Sequence, residues 1–326
     1  MSEPEEIQQG NSSIVKIYRD LGYVVKTPNE GVDPTEFIKK QKHASDIMTK
    51  VAIKLHDAGV DIDIPSTLNI DTDNAEIRES YIPGDKFNIS TYKNLDDKTR
   101  DKLAKDLASF MIAMHQMSEP EIMQGVDGNK LLDKDIGRLL KKDDELQKAG
   151  TDEKINYVLN RLHNEDIKKL VQNAVEYIKQ HDDVANKINV TRHHDLRDGN
   201  IFYEKSKNRL GIIDFEGAGV GHIYEDFVGS PPSLHWNFIT KVIEYYNKLS
   251  QQADLNITIN PEIIKHWLIF RTVWVNIKRN LPEEEIMKQF KQLGLVRTAD
   301  ANSCKKGILK VIEKAENLFQ RDDRDF

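Results

Sequence analysis

His193-His194-Asp195-Leu196-Arg197-Asp198-Gly199-Asn200-Ile201-Phe202, followed by Leu210-Gly211-Ile212-Ile213-Asp214-Phe215, is the stretch on which the reading of this chain turns. Apolar, β-prone residues flank the loop on both sides (Ile188-Asn189-Val190 and Ile201-Phe202-Tyr203), so it joins one strand to another. Along it stand an Asp, an Asn and a second Asp. These are hard oxygen donors, suited to divalent cations and to chemistry on a densely anionic group. Asn200 offers an amide oxygen and Asp214 a carboxylate to the metal side of such a site. Asp195 is left to accept a proton from an attacking hydroxyl. Each half of the pattern strengthens the other.

The rest of the composition is compatible with that chemistry and excludes several others. A chain of 326 residues, 38% hydrophobic and 31% charged, is long enough for one large domain or two lobes with a sizeable core. A net charge of -7 with a pI near 5.9 leaves no cationic excess to neutralise nucleic-acid phosphates, so no nucleic-acid partner is expected. The only cysteine is Cys304, which rules out an internal disulfide and a thiolate zinc cluster. The opening Met1-Ser2-Glu3-Pro4-Glu5-Glu6 is acidic and has no secretory pattern, and Trp267–Val275, interrupted by Arg271, is too short to span a bilayer. A cytoplasmic protein with no membrane partner is the expectation.

Patterning divides the chain into a small β-rich lobe over residues 1–84 and a larger, mostly helical lobe over 85–326. Ser13–Tyr18 and Gly22–Lys26 read as a hairpin turning near Asp20-Leu21-Gly22. Asp33-Pro34 starts a helix that runs to about His56 and stops before Gly59. Two further strands follow at 65–70 and 76–82, the second ending at the breaker Pro83-Gly84. Beyond residue 95, Leu103, Leu107, Phe110, Met111 and Met114 recur at helical spacing up to His115. Charged helices are expected over 119–185 and an amphipathic one over 261–279.

A strand-rich lobe, a Pro-Gly break and a helical lobe carrying this loop resemble the aminoglycoside phosphotransferase and choline kinase-like family. The resemblance covers residues 190–228 best, then 10–30 and 76–84. It implies an α+β, two-lobed protein-kinase-like fold and transfer of a phosphoryl group from ATP or GTP, with Mg²⁺, to a hydroxyl of a small molecule such as an aminoglycoside, amino-alcohol or sugar. By the same resemblance Asp195 is the base, with Asn200 and Asp214 as metal ligands. Lys26, ending the strand Val24-Val25, is the nucleotide lysine. Ser12 and Ser13, after Gly10-Asn11, form the phosphate-approaching loop, and backbone groups of Ser80 and Ile82 form the purine-binding hinge. Arg197 stands near the position where protein kinases carry a lysine and is expected to neutralise the transferring phosphate.

The chain departs from the family in two places. His194 stands where most members carry Gly. A helix acid normally pairs with the lysine, yet the expected position falls near Met48, and the nearest helix carboxylates are Glu36 and Asp46. His193 is expected to shape the loop and Asp226 to brace it, while Glu216 reads as a solvated turn residue. The acidic tail 321–326 reads as a solvated terminus. Two alternatives stay open: a nucleotide-binding pseudokinase, motivated by the missing helix acid, and a metal-dependent phosphohydrolase, motivated by the His-Asp pair at 194–195.

Overall fold

A computed structural model describes residues 3–9, 12–117, 151–181, 189–228 and 233–295. The expectations for Gly10, Asn11, residues 119–150 and 182–185, Cys304 and the tail 321–326 lie outside these. The described residues fall into two compact units. One is drawn from Met1–Val126, Asn189–Gly229 and Lys241–Ile259, the other from Asp127–Ile188, Ser230–Thr240 and Asn260–Phe326.

The first unit begins with an antiparallel sheet of order β1-β2-β3-β6-β5, made of β1 (Glu6–Gln9), β2 (Ser13–Tyr18), β3 (Tyr23–Pro28), β5 (Thr67–Asp71) and β6 (Glu76–Ser80). The expected hairpin is present, turning through Gly22 at φ 72°. β1 was not legible as a strand: Glu6-Ile7-Gln8-Gln9 is mostly polar, and it stands at the sheet edge paired with β2.

Helix α1 (Pro34–Asp57) starts where Asp33-Pro34 places it. The Asp33 carboxylate accepts N–H bonds from Thr35 and Glu36, and proline fits the first turn because its missing N–H would have had no helical partner. Phe37 and Ile38 of α1 are buried with Ala75 and Ile77, and Val32 and Ile70 pack against them. Each large apolar side chain buried here contributes about 1.5–3 kcal/mol.

Two short strands, β4 (Ile62–Asp63) and β7 (Asp85–Lys86), join β9 (Ile201–Glu204) and β10 (Arg209–Ile212) in a four-stranded sheet of order β4-β10-β9-β7. A third, two-stranded sheet pairs β8 (Asn189–Arg192) with β11 (Gly219–His222). Residues 193–200 therefore connect strands of two different sheets. After the short α2 (Ile89–Lys93), α3 (Asp97–His115) buries Leu103, Leu107, Phe110, Met111 and Met114, the stripe that its helical spacing predicts. The connection at Pro83-Gly84 needs its glycine. Gly84 sits at φ 118°, and a Cβ there would lie 2.6 Å from the carbonyl oxygen of Tyr203 on β9.

The second unit is helical, with α4 (Thr151–Asn160), α5 (Glu165–Gln180), α8 (Pro261–Lys278) and α9 (Glu283–Leu293); α7 spans Trp236–Gln252. α5 packs on α8, where the rings of Tyr177 and His266 stack with centroids 4.1 Å apart. The amphipathic stretch expected over 261–279 is α8, and its Ile264, Trp267, Leu268 and Trp274 are buried. Among the described residues, no helix is long and apolar enough to cross a membrane.

The two glycines Gly84 and Gly22 separate backbone strain from collision. Gly22→Ala meets no atom within 4 Å, so it is expected to cost only the left-handed strain, about 1–2 kcal/mol. Gly84→Ala also collides with β9 and is expected to lower the melting temperature further. Equal losses in the two variants, measured by thermal unfolding, would show that β9 yields freely.

Candidate active site

The loop at 193–200 is held from behind by one carboxylate. Asp226, in the short helix α6 (Glu225–Val228), accepts the N–H of His193 at 3.0 Å and that of His194 at 2.8 Å. Its Oδ2 also lies 3.4 Å from Nε2 of His115, at the end of α3. A carboxylate only accepts, so the His115 Nε2–H donates to it. Nδ1 of His115 then accepts from the Tyr246 hydroxyl at 2.8 Å. The bracing role expected of Asp226 is thus visible, together with two residues behind it that the sequence reading did not assign to the site. Burial works to raise the Asp226 pKa, but the His115 hydrogen bond leads the interactions that bring it down to about 2, with the Arg192 charge acting in the same direction.

This clamp holds a strained backbone. His194 sits at φ 81°, in the region that glycine occupies freely, so a glycine would sit there without the strain that His194 carries. The His193 ring is fully buried. Its Nε2–H donates to the Ile213 carbonyl at 3.0 Å, and its Nδ1 faces the Asp195 N–H at 3.4 Å. Burial holds its pKa below the ordinary value against the pull of Asp226, Asp214 and Asp195, so the ring is neutral. With both nitrogens engaged, His193 shapes the loop and is not placed as a metal ligand.

Asn200 and Asp214 are brought together by the backbone: the Ile213 N–H donates to the Asn200 carbonyl at 3.0 Å. Asn200 Nδ2 donates to both the backbone oxygen and Oδ2 of Asp195, each at 2.9 Å. Both neighbours are acceptors, so the amide nitrogen must face them and the amide oxygen turns the other way. Asp214 sits at φ 70°, and its pKa is raised, first by burial and then by Glu216 and Asp195, against the pull of Lys26 and His193. Arg197 Nε donates to Asp195 Oδ2 at 2.9 Å, which places the guanidinium on the carboxylate expected to act as base.

Lys26 has a partner that the sequence did not indicate. Its Nζ lies 2.9 Å from Oε2 of Glu79 on β6, and both side chains are nearly buried. The register pairs Val24 with Glu79, which puts Glu79 and Lys26 on the same face of the sheet as diagonal neighbours. Burial disfavours the charged lysine, yet Glu79, Glu216 and Asp214 outweigh it and raise the Lys26 pKa. Glu36 and Asp46, the helix acids nearest the expected position, are exposed. Glu216 is not the solvated turn residue expected. It is half-buried, and its two carboxylate oxygens accept from Ser12 Oγ at 2.8 Å and from Gln41 Nε2 at 2.6 Å. Ser13 is buried at the start of β2. The Ser80 N–H donates to the Ser66 carbonyl at 2.9 Å, and Ile82 is buried at the Pro-Gly break.

The donor set fits a hard divalent cation whose coordination is completed by phosphate oxygens: an amide oxygen from Asn200, a carboxylate from Asp214, and more negative than positive charge around Lys26. Among the described residues, no three His, Cys, Asp or Glu side chains converge as a self-sufficient metal cage. One or two protein ligands plus phosphates is the usual arrangement for Mg²⁺.

The sheet, the helical part and this loop together define a protein-kinase-like fold built for phosphoryl transfer. The model of the phosphotransferase enzyme family matches residues 5–247, and the chain belongs to that family. Similar solved structures include the GDP and kanamycin complex of APH(2")-IIia, at 16% identity and TM-score 0.56 over 90% of this chain and 93% of that one. The GDP complex of wild-type aminoglycoside 2'-phosphotransferase-IIIa is another, at 17% identity and TM-score 0.54 over 90% and 92%. No curated protein matches the chain.

The Asp226 clamp has a pH signature. Held at about 2 against an ordinary 3.8, the carboxylate contributes stability that is fully present above about pH 4 and is lost as pH falls towards 2. Asp226→Asn is expected to destabilise the protein by about 3–5 kcal/mol at neutral pH, as removal of one partner from a buried charged network does. Its stability should also fall less steeply between pH 4 and 2. Denaturant unfolding across that range checks both, and parallel pH curves for variant and wild type would refute the assignment.

Proposed function

We propose that this protein transfers the γ-phosphoryl group of ATP or GTP to a hydroxyl of a small molecule, of the aminoglycoside, amino-alcohol or sugar kind, in the cytoplasm. The observation that carries this reading is the joint placement of Asp195, Asn200 and Asp214. One amide binds the base through its nitrogen and turns its oxygen away from it, while a backbone hydrogen bond joins Asn200 to Ile213, the residue before the second carboxylate. The GDP and kanamycin held by a protein of the same fold support a nucleotide donor and a hydroxyl-rich acceptor.

In this reading Asn200 and Asp214 would hold Mg²⁺, which would supply positive charge against the phosphates of the donor. Lys26 contacts the phosphates, and the loop at Ser12 and Ser13 approaches them. The purine lies against the hinge, where the Ser80 N–H is already spent on Ser66, so contact there falls to the Ser80 carbonyl and the Ile82 backbone. Oδ2 of Asp195 is occupied by Arg197 and Asn200, which leaves Oδ1 to take the acceptor proton. As that proton moves to Asp195, the hydroxyl oxygen bonds to the γ-phosphorus. The bond from phosphorus to the β-γ bridging oxygen breaks, and the nucleoside diphosphate leaves.

Ion pairing of Lys26 with Glu79 removes the motive for the pseudokinase alternative, because the lysine has an acid after all. Turnover of Mg²⁺-ATP and Mg²⁺-GTP against a panel of amino-alcohols, aminoglycosides and sugars tests the assignment; no phosphorylated product with any acceptor, in folded protein, overturns it. Asp195→Asn is expected to abolish transfer and keep nucleotide affinity. Asp214→Asn is expected to lose metal-dependent nucleotide binding while raising the melting temperature of the ligand-free protein, because the ionised Asp214 is disfavoured by its surroundings. A lower melting temperature in that variant would contradict the electrostatic account. Arg197→Ala should lower kcat by about ten- to a thousandfold, as loss of one donor at the reacting groups does, and change nucleotide KM much less. Recovery in Arg197→Lys would show that charge suffices without the guanidinium fork.

A further inference from the structure

We infer that Glu79 is the acid that positions Lys26 for phosphate contact, and that helix α1 instead tethers the metal-binding segment through Gln41 and Glu216. The inference rests on the phosphotransfer reading of Lys26 and deepens it.

Three observations carry it. The Lys26–Glu79 contact is 2.9 Å between side chains only 12% and 5% exposed, on adjacent antiparallel strands whose hydrogen-bonded register fixes their separation. All the carboxylates of α1 (Glu36, Asp46 and Asp57) are exposed to solvent. The buried polar side chain of α1 is Gln41, fully enclosed, and it donates to Glu216, two residues beyond Asp214. A glutamate in place of Gln41 would set two carboxylates at 2.6 Å, so this position suits an amide while Glu216 stays where it is.

The consequence is a division of labour. The lysine is aimed by a pair internal to the sheet, assembled whenever β3 and β6 pair, and its geometry does not depend on the placement of α1. Glu216, gripped by Ser12 on one side and Gln41 on the other, joins the loop before β2 and helix α1 to the Asp214 segment. Glu79 touches neither metal nor substrate in this scheme, so it is a positioning residue.

The test is a double-mutant cycle with steady-state kinetics, run beside labelling of lysines by an amine-reactive ester quantified by mass spectrometry. Glu79→Gln should lower kcat by about ten- to a hundredfold, as misplacement of a group by about 1 Å does, with a smaller change in acceptor KM. Glu79→Asp should recover part of the loss. Combined with Lys26→Gln, the Glu79→Gln change should cost nothing more, whereas Gln41→Ala should add its own loss. Labelling of Lys26, suppressed in the wild type, should rise in Glu79→Gln. Wild-type turnover with unchanged kcat and labelling in Glu79→Gln overturns the pairing and leaves the phosphotransfer reading standing. Absence of wild-type turnover overturns that reading and the inference with it. If the Glu79→Gln chain does not fold, Glu79→Asp carries the test, and wild-type kcat and labelling in that variant overturn the inference.

Discussion

The carboxylate of Asp226 is the fixed point of the site. It receives two consecutive backbone N–H groups from a loop that joins strands of two different sheets and passes through a left-handed histidine. That anchor grips the backbone on both sides of the bond leading into His194, and Asp195 and Asn200 follow directly from its path. The anchor is held in turn by His115 and Tyr246, so α3 and α7 set the position of this carboxylate. A buried charge of this kind is costly unless its lone pairs are satisfied, and here two backbone N–H groups and the His115 ring, itself backed by Tyr246, satisfy it.

In front of that anchor the charges are deliberately unbalanced. Lys26 faces Glu79, Glu216 and Asp214, and Arg197 faces Asp195. Burial first, and Glu216 and Asp195 after it, raise the Asp214 pKa against the pull of Lys26, so in the ligand-free protein its ionised form is disfavoured. A divalent cation held there, as proposed, would reverse that sign. Under the proposed function, a metal-nucleotide complex bound there would relieve that unfavourable electrostatics.

Glu216 shows how little of this depends on any single motif. As a residue of the turn after Asp214-Phe215 it reads as solvated, but Ser12 and Gln41, far away in sequence, converge on its two oxygens. Three segments that each look ordinary become one joint. The tight fit at Gly84 is of the same kind, since the need for glycine comes from β9, more than a hundred residues later.

What the sequence by itself determined is everything that rests on local chemistry and period. The Asp33-Pro34 helix start, the hairpin through Gly22, the buried stripe of α3 and the Asp195, Asn200 and Asp214 spacing are set by neighbours a few residues apart. What only the tertiary structure decided are the partners across strands and helices. Glu79 meets Lys26 because a particular register makes them diagonal neighbours, and no periodicity within either strand states that register. β1 is a strand only because β2 offers it an edge. Arg197 lies on Asp195 instead of pointing freely into the site, because the loop folds back within two residues of the base. An ion pair is a property of three-dimensional distance, so the lysine was legible from the chain while its acid was not.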